Sequence, residues 1–211
     1  MQAKVFRHLS YAAAAAIIGA GVIVPTTSYA AGGDASRNPA PTPVKPIANQ
    51  LIIDGVTYDV AVLPDFNPTA DVVVAGPPQS SSQKSTIPST DAVTLSPDAS
   101  VQSGCGSYDF SIPGTGATYT SVPGCSYIGT TASTNAAYTW SGNFNSNGKA
   151  CMSGKGYYRQ SQANNVYLVY WRGLGCAHSG SGIVSWGAVA STKQMRGYVA
   201  APPVGWGGSF T

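Results

Sequence analysis

Few residues of this 211-residue chain could carry acid–base or nucleophilic chemistry. The sequence has eight aspartates, no glutamate and two histidines. From position 105 onward only Asp109 and His178 remain of these types, and the Gly-x-Ser-x-Gly elbow of many serine hydrolases is absent. Glycoside hydrolysis usually needs two carboxylates, so the second would have to come from the first half of the chain. The composition therefore favours binding over catalysis, and a hydrolase that uses His178 is kept as an alternative.

Four cysteines lie in the second half of the chain: Cys105, Cys125, Cys151 and Cys176. They contain no C-x-x-C pair, so the spacing of a zinc site is missing, and we predict neither a metal nor another cofactor. If the protein is exported, as the N-terminal pattern described below predicts, an even number of cysteines favours two disulfides. Three pairings are possible, and we favour Cys105–Cys125 with Cys151–Cys176 because neighbouring cysteines often flank one hairpin.

Aromatic residues are the most distinctive feature of residues 105–211, with nine Tyr, three Phe and four Trp. Trp140 precedes Ser-Gly-Asn, and Trp206 lies in a Pro- and Gly-rich tail without a core pattern, so we expect both to be exposed. Tyr157 and Arg159 alternate along one predicted strand and should share a face. An aromatic ring beside a cation suits stacking on sugar rings. These four residues form the predicted binding set.

The charges indicate the kind of partner. Residues 105–211 carry six basic residues against one aspartate, whereas residues 31–104 carry three against seven. A basic domain outside the cell favours an extracellular macromolecule, either a cell-surface glycan or a protein, and makes nucleic acid an unlikely partner. A secreted inhibitor or toxin-like protein that presents a disulfide-held loop, such as residues 111–122, is the first alternative.

The N-terminus has the pattern of a secretory signal peptide over residues 1–30. Lys4 and Arg7 precede an apolar run at positions 11–24, and small residues stand before the predicted cleavage site after Ala30. Such a run reaches about 21 Å as a helix, which is short of a hydrocarbon core of about 30 Å. We therefore predict a secreted, extracellular protein without a membrane span.

The acidic half divides into three predicted segments. Residues 31–49 are Pro-rich and should be extended. Residues 50–76 contain Asp54-Gly55 between two apolar runs, which predicts a small β-hairpin. Residues 77–104 are rich in Ser, Thr and Pro and predict a disordered linker. Because an isolated hairpin is marginally stable, it should dock on the second half, associate with a partner or be a removable pro-segment.

Residues 105–211 have strand-like periodicity throughout. Residues 108–112 alternate between large apolar and small or polar side chains, and residues 156–160 and 166–171 predict a hairpin. Gly, Ser and Asn turns separate seven to nine short predicted strands. The predicted fold class is all-β: an antiparallel, disulfide-stapled β-sandwich or small barrel.

Overall fold

A computed structural model describes most of the chain after residue 36. The described residues are 37–76, 92–95, 101–102, 104–143, 148–161 and 165–211. The predicted signal peptide and most of the predicted linker lie outside these ranges.

The described residues form seventeen β-strands and no α-helix. The strands are β1 (Thr42–Val44), β2 (Gln50–Ile53), β3 (Val56–Tyr58), β4 (Ala61–Val62), β5 (Val72–Ala75), β6 (Ala92–Thr94), β7 (Val101–Gln102), β8 (Tyr108–Ile112), β9 (Tyr119–Thr120), β10 (Ser126–Gly129), β11 (Asn135–Gly142), β12 (Ala150–Ser161), β13 (Val166–Ala177), β14 (Ser179–Ser185), β15 (Val189–Thr192), β16 (Met195–Val199) and β17 (Trp206–Phe210).

These strands build four sheets, which confirms the predicted all-β, sandwich- or barrel-like fold. Two five-stranded sheets have the orders β1-β13-β12-β16-β9 and β4-β15-β10-β5-β7. A four-stranded sheet has the order β14-β11-β17-β8, and β3-β2-β6 form a small fourth sheet. Aromatic side chains fill the main core, where Trp186 meets the rings of Tyr127 and Tyr157 edge to face.

The hairpin of β12 and β13 is the longest element and confirms the hairpin predicted from residues 156–160 and 166–171. It pairs from Ala150↔Ala177 to Ser161↔Val166, so both strands extend well beyond the predicted segments. Glycine lets a neighbouring sheet approach β12 closely. A Cβ on Gly154 would lie 2.8 Å from Val184 Cγ2 and 2.9 Å from Tyr138 Cδ2, which is closer than real Cβ atoms come.

The hairpin predicted around Asp54-Gly55 is confirmed. Both turn residues have positive φ, 50° and 78°, as the tight two-residue turns of β-hairpins require. Leu51 pairs with Tyr58, and both side chains are buried in the smaller core.

The first half of the chain is interwoven with the second. β1 pairs antiparallel with β13, while β4 and β5 run parallel to β15 and β10. Residues 72–75 therefore extend a sheet of the C-terminal half, rather than the hairpin of β2 and β3. Of the three alternatives for the hairpin segment, docking is the one that this strand pairing supports.

Two predictions about irregular segments need correction. The predicted linker of residues 77–104 contains two short strands in its described part, because Ala92–Thr94 pairs with β2 and Val101–Gln102 pairs with β5. The tail around Trp206 forms β17, which lies between β11 and β8. Gly207 and Gly208 conceal its alternation in the sequence, although its burial alternates strictly.

The two predicted disulfides, Cys105–Cys125 and Cys151–Cys176, are both present. Cys151 and Cys176 are directly opposite each other on β12 and β13. The second bridge therefore fastens the open end of the long hairpin.

Removing this second bridge should destabilise the protein without changing the fold. The bridge closes a loop with a sequence separation of 25 residues. On the chain-entropy relation, the Cys151→Ala/Cys176→Ala double variant should lose about 3.5 kcal/mol of unfolding free energy. Urea denaturation followed by circular dichroism measures the loss. A loss below about 1 kcal/mol would contradict this role for the bridge.

Candidate functional site

The structure corrects the predicted exposure of the binding set. Trp140 is 3% exposed, and Tyr157 and Trp206 are 1% exposed. The indole Nε1 of Trp206 donates a hydrogen bond to the His178 carbonyl at 2.9 Å. A Cβ on Gly180 would lie 2.5 Å from Trp140 Cζ2, so glycine on the neighbouring strand leaves the space that this ring fills. These three rings are packed in the interior and are not available for stacking on a ligand.

Arg159 is the exposed member of the predicted set and lies on the wall of a cleft of about 390 Å³. The cleft lies between the turn end of the β12–β13 hairpin and the N-terminal segment. Its polar and aromatic lining comprises Asn49, Asp59, Arg159, Asn165 and Tyr167. Val60, Ala61 and Ala188 complete the wall. We call it the Arg159 cleft.

Hydrogen bonds order the polar groups of the Arg159 cleft. Arg159 Nη2 donates to Asn165 Oδ1 at 3.2 Å, and Asn165 Nδ2 donates to Asn49 Oδ1 at 2.6 Å. The Arg159 guanidinium carbon lies 5.9 Å from the ring centroid of Tyr167, the residue paired with it across the hairpin. Asn165 has a φ of 45°, a left-handed conformation that asparagine tolerates better than most residues. The hairpin turn therefore fixes both the amide and the guanidinium.

Strand β12 also carries an ion pair between the buried Lys155 and Asp65, whose side chain is 39% exposed. The Lys155 side chain is 5% exposed, and its Nζ contacts Asp65 Oδ2. The same ammonium donates to the Thr192 carbonyl at 3.2 Å and to Gln194 Oε1 at 3.1 Å. The three hydrogens of the ammonium thus have three acceptors. Burial lowers the pKa of Lys155, while the charge of Asp65 and its hydrogen bond oppose that shift.

Three hydroxyl groups complete the surroundings of the Asp65 carboxylate. Ser191 Oγ donates to Asp65 Oδ1 at 2.6 Å, and Tyr157 OH donates to Asp65 Oδ2 at 3.3 Å. Thr192 Oγ1 donates to Oδ2 at 3.4 Å, and the single hydroxyl hydrogen of Tyr157 is shared between Asp65 Oδ2 and Ser191 Oγ. Burial, followed by the charge of Asp65, raises the pKa of Tyr157 well above its usual value. We call this group, with Lys155 and Gln194, the Asp65 cluster.

Most of the Asp65 cluster is packed in the interior, and only the Asp65 carboxylate is substantially exposed among its charged groups. Ser191 and Tyr157 are buried, so a substrate cannot reach the serine hydroxyl in this arrangement. Sequence reasoning missed the cluster because 90 residues separate Asp65 from Lys155. The sequence offered one indication of a buried charge: Lys155 stands two residues before Tyr157, within strand β12.

A second buried lysine, Lys193, lies between aromatic rings. Its Nζ donates to the Ala137 carbonyl at 2.5 Å and lies 4.6 Å from the ring centroid of Tyr138. The ring of Tyr127 is 5.8 Å away. Burial lowers the pKa of Lys193 to about 8.

The residues that a hydrolase using His178 needs are not brought together. The His178 imidazole lies with Nδ1 3.5 Å from the Gly148 carbonyl, and it packs against Gly142. Asp109 lies on β8, opposite Ser209 of β17. Among the described residues, no hydrogen bond joins His178 to Asp109 or to a serine hydroxyl.

Cations also lie over aromatic rings outside the Arg159 cleft. The Arg37 guanidinium carbon lies 4.3 Å from the ring centroid of Tyr198, and that of Arg196 lies 4.9 Å from the Trp171 ring. In both pairs the guanidinium covers a ring face, so these contacts hold the N-terminal segment and strand β16 in place.

Similarity to known proteins does not indicate the function of the site, which has to be interpreted from its own geometry. No protein-family model matches the chain, and neither a curated protein nor a solved structure shows significant similarity to it. Within the described part of the chain, no helix has the length and apolar character needed to cross a membrane. The same residues contain no group of three or more His, Cys, Asp or Glu placed to hold a metal ion.

Replacing Trp206 should reduce stability, because its ring packs in the core. Trp206→Ala should lower the unfolding free energy by about 3–5 kcal/mol, the usual range for a buried tryptophan. Val204→Ala is the matched control because Val204 is exposed two residues away. The control should change stability by about 0.5 kcal/mol or less. Equal effects in chemical denaturation would contradict the interior position of β17.

The buried Lys193 should make stability depend on pH above neutrality. Its pKa is lower in the folded protein, about 8, than its ordinary value of 10.5. As the pH falls through this window the unfolded chain binds the proton first, so stability is lost between pH 10.5 and 8. We therefore compare the unfolding free energies of wild type and Lys193→Met. As the pH rises from 8 to 10.5, their difference should shift by about 3 kcal/mol in favour of wild type.

Urea denaturation at several pH values measures this shift. The exposed Lys149→Met variant controls for the loss of one positive charge. A difference between wild type and Lys193→Met that stays constant from pH 7 to 10 would contradict the burial of this ammonium.

Proposed function

We propose that the protein is exported and binds a saccharide unit of an extracellular glycan in the Arg159 cleft. The observation that supports this most is the composition of the cleft. A guanidinium, two amides, a carboxylate and a tyrosine ring line a space of about 390 Å³. Ligand pockets usually have volumes of about 300–1,000 Å³, and this one falls at the small end of that range.

The chemistry of these side chains suits sugars. Each sugar hydroxyl can donate and accept a hydrogen bond, and neighbouring hydroxyls lie side by side. Amide, carboxylate and guanidinium groups also present two adjacent hydrogen-bonding atoms in a fixed plane. Asn49, Asp59, Arg159 and Asn165 supply all three types of group. Because Asp59 and Arg159 carry opposite charges, the cleft favours a largely neutral sugar over a densely anionic one.

Export is supported by two independent features. Residues 1–30 have the basic, apolar and small-residue regions of a signal peptide. All four cysteines are paired in disulfides, which persist in oxidising compartments. An extracellular glycan is therefore a ligand that the protein would meet.

Binding should depend on Arg159 and not on basic charge in general. Hydrogen bonds to a charged group contribute about 1.5–3 kcal/mol each, so Arg159→Ala should weaken glycan binding by roughly tenfold to a hundredfold. Asn49→Ala should also weaken it, because this amide holds Asn165 in place. A glycan array identifies the ligand, and isothermal titration calorimetry measures the dissociation constants.

Arg172→Ala is the matched control for this experiment. Arg172 is exposed on β13 and does not line the cleft, so its removal changes the charge equally. Affinity for the glycan should stay within about twofold of wild type. Equal weakening by Arg172→Ala would contradict the site, and failure to bind any glycan would contradict the function. Capture of an extracellular protein instead would favour the inhibitor or toxin-like alternative.

A further inference from the structure

The Asp65 cluster places a buried amine in contact with a carboxyl group of a partly exposed side chain. Lys155 belongs to β12, and Asp65 belongs to the N-terminal segment that follows β4. Their side chains meet as Nζ and Oδ2. An amine and a carboxyl group are the two reactants from which an amide forms.

The surroundings of Lys155 favour a nucleophilic amine. The ammonium is almost fully withdrawn from water, and burial disfavours its charged form. The Thr192 carbonyl and Gln194 Oε1 accept hydrogen bonds from two of its hydrogens. These two acceptors hold the nitrogen in place beside the carboxyl group.

The surroundings of Asp65 favour attack on its carboxyl carbon. Ser191 Oγ donates to Oδ1, and the hydroxyls of Tyr157 and Thr192 donate to Oδ2. Hydrogen-bond donors that are already aimed at a carboxyl oxygen stabilise the negative charge that develops there during nucleophilic addition. The Ser191 hydroxyl is thus positioned at the oxygen that would carry that charge.

From this geometry we propose that Lys155 and Asp65 become joined by an intramolecular amide between Nζ and Cγ. The proposal is independent of the glycan-binding function. The ammonium transfers one proton to Asp65 Oδ2, and the neutral amine attacks Cγ. A second proton passes from nitrogen to Oδ2, the Cγ–Oδ2 bond breaks, and Oδ2 leaves as water. One ammonium and one carboxylate thus become one amide and one water molecule, and no oxidant or cofactor is needed.

Folding supplies the proximity and orientation that this condensation lacks in bulk water. Well-oriented groups in one molecule react as if present at about 10⁵–10⁸ M. The Lys155 side chain is buried, whereas the Asp65 side chain is 39% exposed, so the released water can leave at the Asp65 end. The amide would link positions 90 residues apart and fasten the N-terminal segment covalently to β12.

Mass spectrometry of the full chain tests the proposal. After denaturation and reduction, the wild-type protein should be lighter than its sequence mass, counted from the observed N-terminus, by one water molecule. Proteolysis should release a branched peptide that contains both Asp65 and Lys155. Lys155→Arg and Asp65→Ala should have the full sequence mass, whereas Lys193→Met should retain the loss of one water.

Two further variants separate the chemistry from folding. Tyr157→Phe and Ser191→Ala keep both reactants but remove donors to the carboxyl oxygens, so the cross-linked fraction should fall. A wild-type chain at full sequence mass, with Asp65 and Lys155 recovered in separate peptides, would overturn the proposal and show an ordinary ion pair. That outcome would leave glycan binding at Arg159 unaffected.

Discussion

The burial of the Lys155 ammonium is the constraint on which the rest of the structure depends. An isolated buried charge costs several kcal/mol unless an opposite charge and hydrogen bonds compensate for it. Strand β12 places Lys155 in the interior, and Asp65 provides the compensating carboxylate. Asp65 comes from the acidic half of the chain, so a well-folded C-terminal half requires that the N-terminal segment be docked.

Docking also follows from the strand edges that the C-terminal half leaves open. β13 and β15 would otherwise present unpaired backbone groups at the edges of their sheets, and β1 and β4 cover these edges. Among the described residues, the oppositely charged halves are joined by the Lys155–Asp65 ion pair and by several strand pairings. The general attraction between the halves is weaker than these contacts because salt screens it beyond about 8 Å.

The sequence allowed the local features to be predicted and concealed the distant ones. Alternating side chains and the Asp54-Gly55 turn predicted strands and a hairpin, because both depend on neighbouring residues. The disulfide pairing followed from cysteines that flank consecutive strands. The interior positions of Trp140 and Trp206 could not be predicted in this way. Trp140 depends on Gly180 across the sheet, and β17 depends on partners that lie far away in the sequence.

In the candidate site, too, one residue was predictable from its neighbours in the sequence, whereas the others were not. Arg159 was identified from its aromatic neighbour, but Asn49 and Asp59, which line the same cleft, come from the N-terminal segment. That segment therefore contributes one wall of the Arg159 cleft as well as the carboxylate that compensates Lys155. Its removal as a pro-segment would open the cleft and remove the Asp65 carboxyl group that the buried Lys155 contacts. Both consequences would impair the C-terminal half, which argues that residues 37–76 are a working part of the folded protein.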